Sequence, residues 1–323
     1  MENQNSSSSN IAASIEELKN KIAQQDDSVE EIDKAHYIFE LAKLYKKNNQ
    51  IPEALESFKE TIEKTQSFNT KVDSIFEILH IGINDKNLEL LKEYLDKCKA
   101  LLKDAGDWEK KNRLKVYDGI NYVLNRNFKE AGKLFLQALM TFTSYELFDY
   151  KTFVFYTAIT NIITVDRKTL KTRVIDNSDV VSCINEIPHL EKFLMCFYEG
   201  DYATFFKEFY AIVQRIKKDF FFSQHSYFFM REMRVKVYSQ FLQSYKSVTI
   251  DNMAKVFGVS SKFIDNELSN FISLGRLPAK IDKVSGVIEC TQDEPTVDLY
   301  NNIISESDRL LNKVHKLSKL LEL

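Results

Sequence analysis

Residues 247–290 read SVTIDNMAKVFGVSSKFIDNELSNFISLGRLPAKIDKVSGVIEC, and the order of their signals decides the fold class. Thr249 can cap a short helix with Asp251 in its favourable first turn and Met253, Val256 and Phe257 on one face. Gly258 supplies a turn, and Ser260 or Ser261 caps a second helix carrying Phe263, Ile264, Leu268, Phe271 and Ile272. Gly275 ends that helix. Two strand-like pieces follow, 277–282 and 287–290, around the turn Lys283-Val284-Ser285-Gly286. Helix, glycine turn, helix and β-hairpin make a winged helix over 247–291. Beyond Pro295 a last helix is expected over 296–323. Its residues Ile303, Leu310, Val314, Leu317 and Leu321 are spaced by seven, four, three and four, a stripe that asks for partner helices.

Toward the N-terminus, residues 143–246 read as helical and rich in rings. Phe193, Phe197, Phe205 and Phe209, with Phe153 and Tyr156 before them, recur at three- and four-residue intervals between lysines and glutamates. That is how the core faces of packed helices read. Earlier still the chain repeats itself. Leu41, Ala42, Tyr45, Ala54 and Phe58 have the spacing of Asp118, Gly119, Tyr122, Ala131 and Phe135. Ile78, Gly82, Leu91 and Leu95 form a degenerate copy between them. Small and aromatic residues alternating in this way are the tetratricopeptide signature: small residues let two antiparallel helices approach, and rings fill the groove to the next pair. Residues 15–142 are therefore expected to be tetratricopeptide-like repeats, three helix pairs stacked as a short right-handed solenoid. Residues 1–14, rich in serine and asparagine, are expected to be disordered.

Composition agrees with a mainly helical chain. Among 323 residues there are only eight glycines and four prolines, too few for the turns of a β-sandwich or barrel. No apolar run is long enough to span a bilayer, and the first residues lack the basic and apolar regions of a secretory signal. Cys98, Cys183, Cys196 and Cys290 are expected to be free thiols buried as small apolar groups.

Catalytic motifs need particular spacings. The closest glycines, Gly275 and Gly286, stand 11 positions apart, which excludes a dinucleotide fingerprint and a P-loop. The closest histidines, His189 and His225, are 36 apart, which excludes H-E-x-x-H. Cys183, His189 and Cys196 come nearest to a soft-metal cluster, but their gaps of six and seven match no zinc spacing. No enzyme and no cofactor is indicated. The winged helix raises DNA binding instead, and charge weighs against it. Over 247–291 five basic residues meet five acidic ones, and the second helix sets Lys262 against Asp265 and Glu267, carboxylates expected to face phosphates. With a net charge of −3, the chain reads as a protein-binding platform rather than a nucleic-acid reader.

A helical-repeat arm leading into an uncharged winged helix and a lone C-terminal helix resembles the PCI-domain proteins. Particular runs are similar to the PCI subunits of the proteasome regulatory-particle lid: residues 112–117, NRLKVY; 142–147, FTSYEL; 149–154, DYKTFV; and 231–234, REMR. Phe257-Gly258-Val259, Phe263-Ile264-Asp265, Gly275-Arg276-Leu277 and Lys280-Ile281-Asp282-Lys283 continue the likeness. The resemblance places the PCI domain at 143–291, with a helical part at 143–246. It implies a structural job in the degradation of ubiquitinated proteins, in cytoplasm and nucleus, beside other PCI-domain lid subunits and the lid's deubiquitinase module and within reach of the ATPase ring. A signalosome subunit of the same class is the alternative. Neither nucleic acid nor membrane is implied as a partner. The chain is expected to lack most of the N-terminal helical extension of that family. The resemblance also implies two interfaces. One is a winged-helix edge at Leu277, Ala279, Ile281, Val287 and Ile288, suited to strand addition. The other is a bundle helix presenting Ile303, Leu310, Val314, Leu317 and Leu321.

Overall fold

The computed structural model describes Ile15, Glu16 and Leu18 and residues 31–103, 107–290 and 295–321. The stretch 1–14, expected to be disordered, lies outside the described residues. Three helix pairs open the described chain: α1 (Glu31–Lys47) with α2 (Ile51–Lys64), α3 (Phe68–Asn84) with α4 (Leu88–Lys103), and α5 (Trp108–Leu124) with α6 (Phe128–Ala138). The repeated residues sit where the spacing put them. Ala42, Ala54, Phe58, Ile78, Leu91 and Phe135 are buried, and Phe135 lies directly over Gly119, where a β-carbon would come within 2.4 Å of its ring. The other side of Phe135 meets Phe153 edge to face at 5.4 Å.

The turns inside the three pairs are copies of one another. Each places a residue other than glycine in the left-handed region: Asn49 (φ 58°), Lys86 (φ 54°) and Arg126 (φ 61°). The amide one residue further on reaches back to the helix, Gln50 to Tyr45, Asn87 to Gly82 and Asn127 to Tyr122. These are Schellman caps built without their usual glycine, so they left no glycine signal in the sequence. Two of the three tips have a further use. Lys86 donates to the Phe220 carbonyl at 3.1 Å and lies over its ring, and Arg126 Nε approaches His225 Nδ1 at 3.4 Å.

The stack continues through α7 (Tyr150–Thr164), α8 (Arg167–Leu170), a π-helical turn (Lys171–Ile175) and α9 (Ser178–Ile184). Then come α10 (Leu190–Glu199), α11 (Tyr202–Lys218) and α12 (Ser226–Leu242). The chain divides into two compact units. One holds the described residues up to Glu191 together with Arg215–His225; the other holds Lys192–Gln214 and the described residues from Ser226 onward. The boundary expected at residue 143 falls inside the first unit, because α7 packs against α6 and shares its rings. Phe142 stacks on Phe153 at 4.6 Å, and Tyr156 meets Phe222 at 4.9 Å while its hydroxyl donates to Asp219 at 2.7 Å.

In the second unit Phe193, Phe205 and Phe209 stack together, and Phe257 stands among Tyr202, Phe206, Tyr238 and Phe241. The recurring rings are thus largely core, although Tyr210 and Tyr227 face water. Of the four free thiols only Cys98 is buried, and burial pushes its thiol up to about 12. Cys183, Cys196 and Cys290 are half-exposed, against the expectation that all four fill cores; Cys290, for instance, ends a short strand.

Candidate partner-binding surfaces

The winged helix forms from local signals. The Thr249 hydroxyl accepts from the Asn252 amide at 3.3 Å and starts α13 (Ile250–Phe257), which Gly258 closes at φ 66°. The Ser260 hydroxyl accepts from the Phe263 amide at 3.4 Å and starts α14 (Ser261–Ser273), after which Gly275 turns the chain at φ 68°. The wing turn is held by Asp282, whose carboxylate accepts from the Val284 amide at 2.9 Å and from the Ser285 hydroxyl at 2.6 Å.

The wing has one strand more than the sequence suggested. β1 (Ser247–Thr249), β2 (Ala279–Asp282) and β3 (Val287–Cys290) form an antiparallel sheet in the order β1-β3-β2, with Val248 opposite Ile288 and Ile281 opposite Ile288 on the other side. β1 is only three residues long and also carries the cap of α13, so its strand character was hidden. Its presence corrects the expected edge: β3 is the central strand, and β2 presents the edge beside it. The side chains of Leu277, Ala279 and Ile288 are buried in the protein's own core, while Ile281 and Val287 are half-buried. What this edge offers is main-chain hydrogen-bonding groups, not a row of apolar side chains.

The charge on α14 also differs from expectation. Glu267 turns inward, accepting from the Tyr238 hydroxyl at 2.8 Å and pairing with the Arg234 guanidinium. Burial, and then the carboxylate beside it, pushes the Tyr238 hydroxyl well above its usual 10. Glu267 therefore braces α14 against α12 instead of repelling phosphates. Exposed on α14 are Lys262, Phe263, Asn266, Asn270 and Ser273, with Asp265 half-buried, so the helix shows water one lysine and no fully exposed carboxylate. The partners of Glu267 lie 29 and 33 positions away, a separation that leaves no local pattern to read. A second brace in this unit joins Glu232 on α12 to Arg276 just after α14.

α15 (Pro295–Leu321) is different in kind. Every described side chain from Asn302 to Leu320 faces water. Ile303, Leu310, Val314 and Leu317 are between 52% and 65% exposed; Leu321 ends the helix, and its side chain lies outside the described residues. Leu299, Tyr300, Ile304, Leu311 and Leu320 are exposed as well. By helical geometry Tyr300, Ile304 and Leu311 form a second stripe beside the first. The sequence had shown only one of the two. Among the described residues no three histidine, cysteine, aspartate or glutamate side chains gather as a metal site would require, and no helix is long and apolar enough to cross a membrane.

Comparison with known proteins matches these features. Residues 4–173 match the family model described as 26S proteasome subunit RPN7, and residues 206–292 match the PCI domain. The chain is 44% identical over 97% of its length to the 26S proteasome non-ATPase regulatory subunit 6 homolog of Arabidopsis thaliana, covering 81% of that protein. It is 44% identical over 83% of its length to the subunit 6 of Dictyostelium discoideum, covering 70% of it. Against the regulatory subunit RPN7 of Saccharomyces cerevisiae it is 35% identical over 94% of its length, covering 72%. A helical-repeat stack, a winged helix of balanced charge and these matches together show that the chain belongs to the RPN7 family of 26S proteasome regulatory subunits, which carry a PCI domain.

Proposed function

We propose that this protein is a non-catalytic scaffold in the lid of the 26S proteasome regulatory particle, supporting degradation of ubiquitinated proteins in cytoplasm and nucleus. Its partners on this reading are other PCI-domain lid subunits and the lid's deubiquitinase module, with the ATPase ring within reach of the arm. The observation that carries the proposal is α15. Two adjoining apolar stripes on a helix exposed along its described length make a surface wider than a two-stranded seam, so more than one partner helix packs on it. Each large apolar side chain left in water forgoes about 1.5–3 kcal/mol of burial. The edge of β2 is the second surface, open to strand pairing through its main chain.

Purification of the tagged protein from its own cells, with mass spectrometry of what accompanies it, tests this reading. The wild type is expected to bring lid subunits. A Leu310→Glu, Leu317→Glu variant puts carboxylates into the packed seam and is expected to come alone, with the circular dichroism of the isolated chain unchanged. Full assembly of the variant would remove α15 from the interface. Unfolding of the isolated variant would place the stripe in the protein's own core.

A further inference from the structure

The two stripes on α15 share one gap. In the first, Ile303 and Leu310 are seven positions apart, and Ser307 stands four after the one and three before the other. With Ser307 included the positions run 303, 307, 310, 314, 317 and 321, the unbroken four-three alternation of a heptad seam. In the second stripe Ile304 and Leu311 are also seven apart, with Ser307 three after and four before. One helical turn to either side of Ser307 are thus Ile303, Ile304, Leu310 and Leu311, between 52% and 68% exposed. Ser307 is exposed with them. Ser305, on the polar side of the helix, spends its hydroxyl on the Asn302 carbonyl at 2.9 Å. Among the described residues nothing accepts from the Ser307 hydroxyl in that way.

We infer that Ser307 is the register-setting polar layer of α15, and that a helix covering the stripes brings a hydrogen-bonding side chain to its level, an asparagine, glutamine, serine or threonine. The inference rests on the scaffold reading of α15 proposed above and adds what selects the partner's alignment. Helices that cover Ile303, Ile304, Leu310 and Leu311 also cover the residue at their centre. A hydroxyl sealed under hydrocarbon loses its water and needs another partner. A polar side chain on the facing helix supplies one in a single alignment. Slipped by one heptad, the same helix sets an apolar side chain against Ser307 and its own polar group against Val314, stranding two polar groups at once. Glu306 and Lys313, one heptad apart on the margin of the first stripe and opposite in charge, resist the same slip in a helix matched to them. A second copy of this chain is not the occupant. Two copies sealed along the first stripe leave Ile304 and Leu311 of both in water, so helices of other chains complete the layer.

Competition inside the cell tests the layer. Wild type and a variant carrying different tags are expressed together. Their ratio in regulatory particles purified through another lid subunit is compared with their ratio in the whole lysate. Ser307→Ala is expected to fall about ten-fold behind the wild type, the order of effect when a buried polar group loses its partner. Ser307→Leu should fall at least as far. Ser307→Thr, which restores the hydroxyl, should compete within about two-fold of wild type, and so should Ser305→Ala on the polar side. Circular dichroism of the isolated variants should be unchanged, because both serines are exposed there. Equal incorporation of Ser307→Ala or of Ser307→Leu overturns the inference, as does Ser307→Thr competing no better than Ser307→Ala. Leu310→Glu, Leu317→Glu, run in the same competition, separates the two claims. Its exclusion beside a fully competitive Ser307→Ala sinks the polar layer alone. Its full incorporation sinks the scaffold reading of α15, and the layer with it.

Discussion

Gly119→Ala measures how closely the third helix pair is packed. A β-carbon at this position would lie 2.4 Å from Phe135 Cε1 and 2.8 Å from Cδ1, whereas carbon atoms rest at about 3.5–4.0 Å. The ring must therefore retreat by more than about 1 Å. It has nowhere to go, since Phe135 is fully buried with Phe153 edge-on behind it at 5.4 Å. Overpacking of this kind costs about 1–3 kcal/mol, and the full burial of the ring puts this case at the upper end. The better helix propensity of alanine returns about 1 kcal/mol. The net expectation is a loss of about 2 kcal/mol, which lowers the melting temperature of a unit this size by about 4–8 °C. Scanning calorimetry of the isolated chain checks it. Combining the substitution with Phe135→Leu should cost less than the sum of the two single changes, because leucine yields the space that the methyl needs. Gly82→Ala serves as the contrast. There the nearest atoms are the end of the Leu90 side chain at 2.9 Å, which can swing aside, and Leu91 Cδ2 at 3.2 Å, which is buried but need give only a few tenths of an ångström. Alanine's better helix propensity offsets that, so the change should be nearly neutral. A Gly119→Ala variant as stable as the wild type, or strict additivity with Phe135→Leu, would refute the packing argument.

Two further outcomes are expected. Glu267→Leu strands the Arg234 guanidinium and the Tyr238 hydroxyl and should cost about 2–3 kcal/mol, read as a lower urea midpoint; an unchanged midpoint would mean the brace contributes nothing. Burial, and then the Arg126 guanidinium, hold His225 below its usual 6.5, so the unfolded chain takes up a proton there more readily than the folded one. Stability should accordingly be full above pH 6.5 and fall as the pH drops below it, and His225→Phe should flatten that slope in urea titrations at pH 7.5 and 5.5. His80, held low by burial and Lys46, would keep the remainder of the slope.

The helix pairs were legible because their contacts are local. Ala42, Gly119 and Phe135 sit at fixed distances along the chain, and the glycines at 258 and 275 mark turns that only a positive φ can make. What escaped reading depends on residues far apart or on the absence of a signal. The caps at Asn49, Lys86 and Arg126 lack glycine, and two of them are tied down by Phe220 and His225, 134 and 99 positions away. Glu267 looked like a surface charge until α12 supplied its partners. At the candidate interfaces, alternation marked Leu277, Ala279 and Ile288 as strand residues but could not say which side they faced, and they face inward. The stripe on α15 was visible because its spacing lies within one helix.

A helix that keeps its leucines in water has a consequence for how much of this protein a cell can carry. Nine large side chains, from Leu299 to Leu320, stay wet on a copy that meets no partner. Such a surface attracts other unassembled chains and the machinery that removes them. On the reading proposed above, each copy made in excess displays its own surplus, and its lifetime follows the supply of the chains that cover α15.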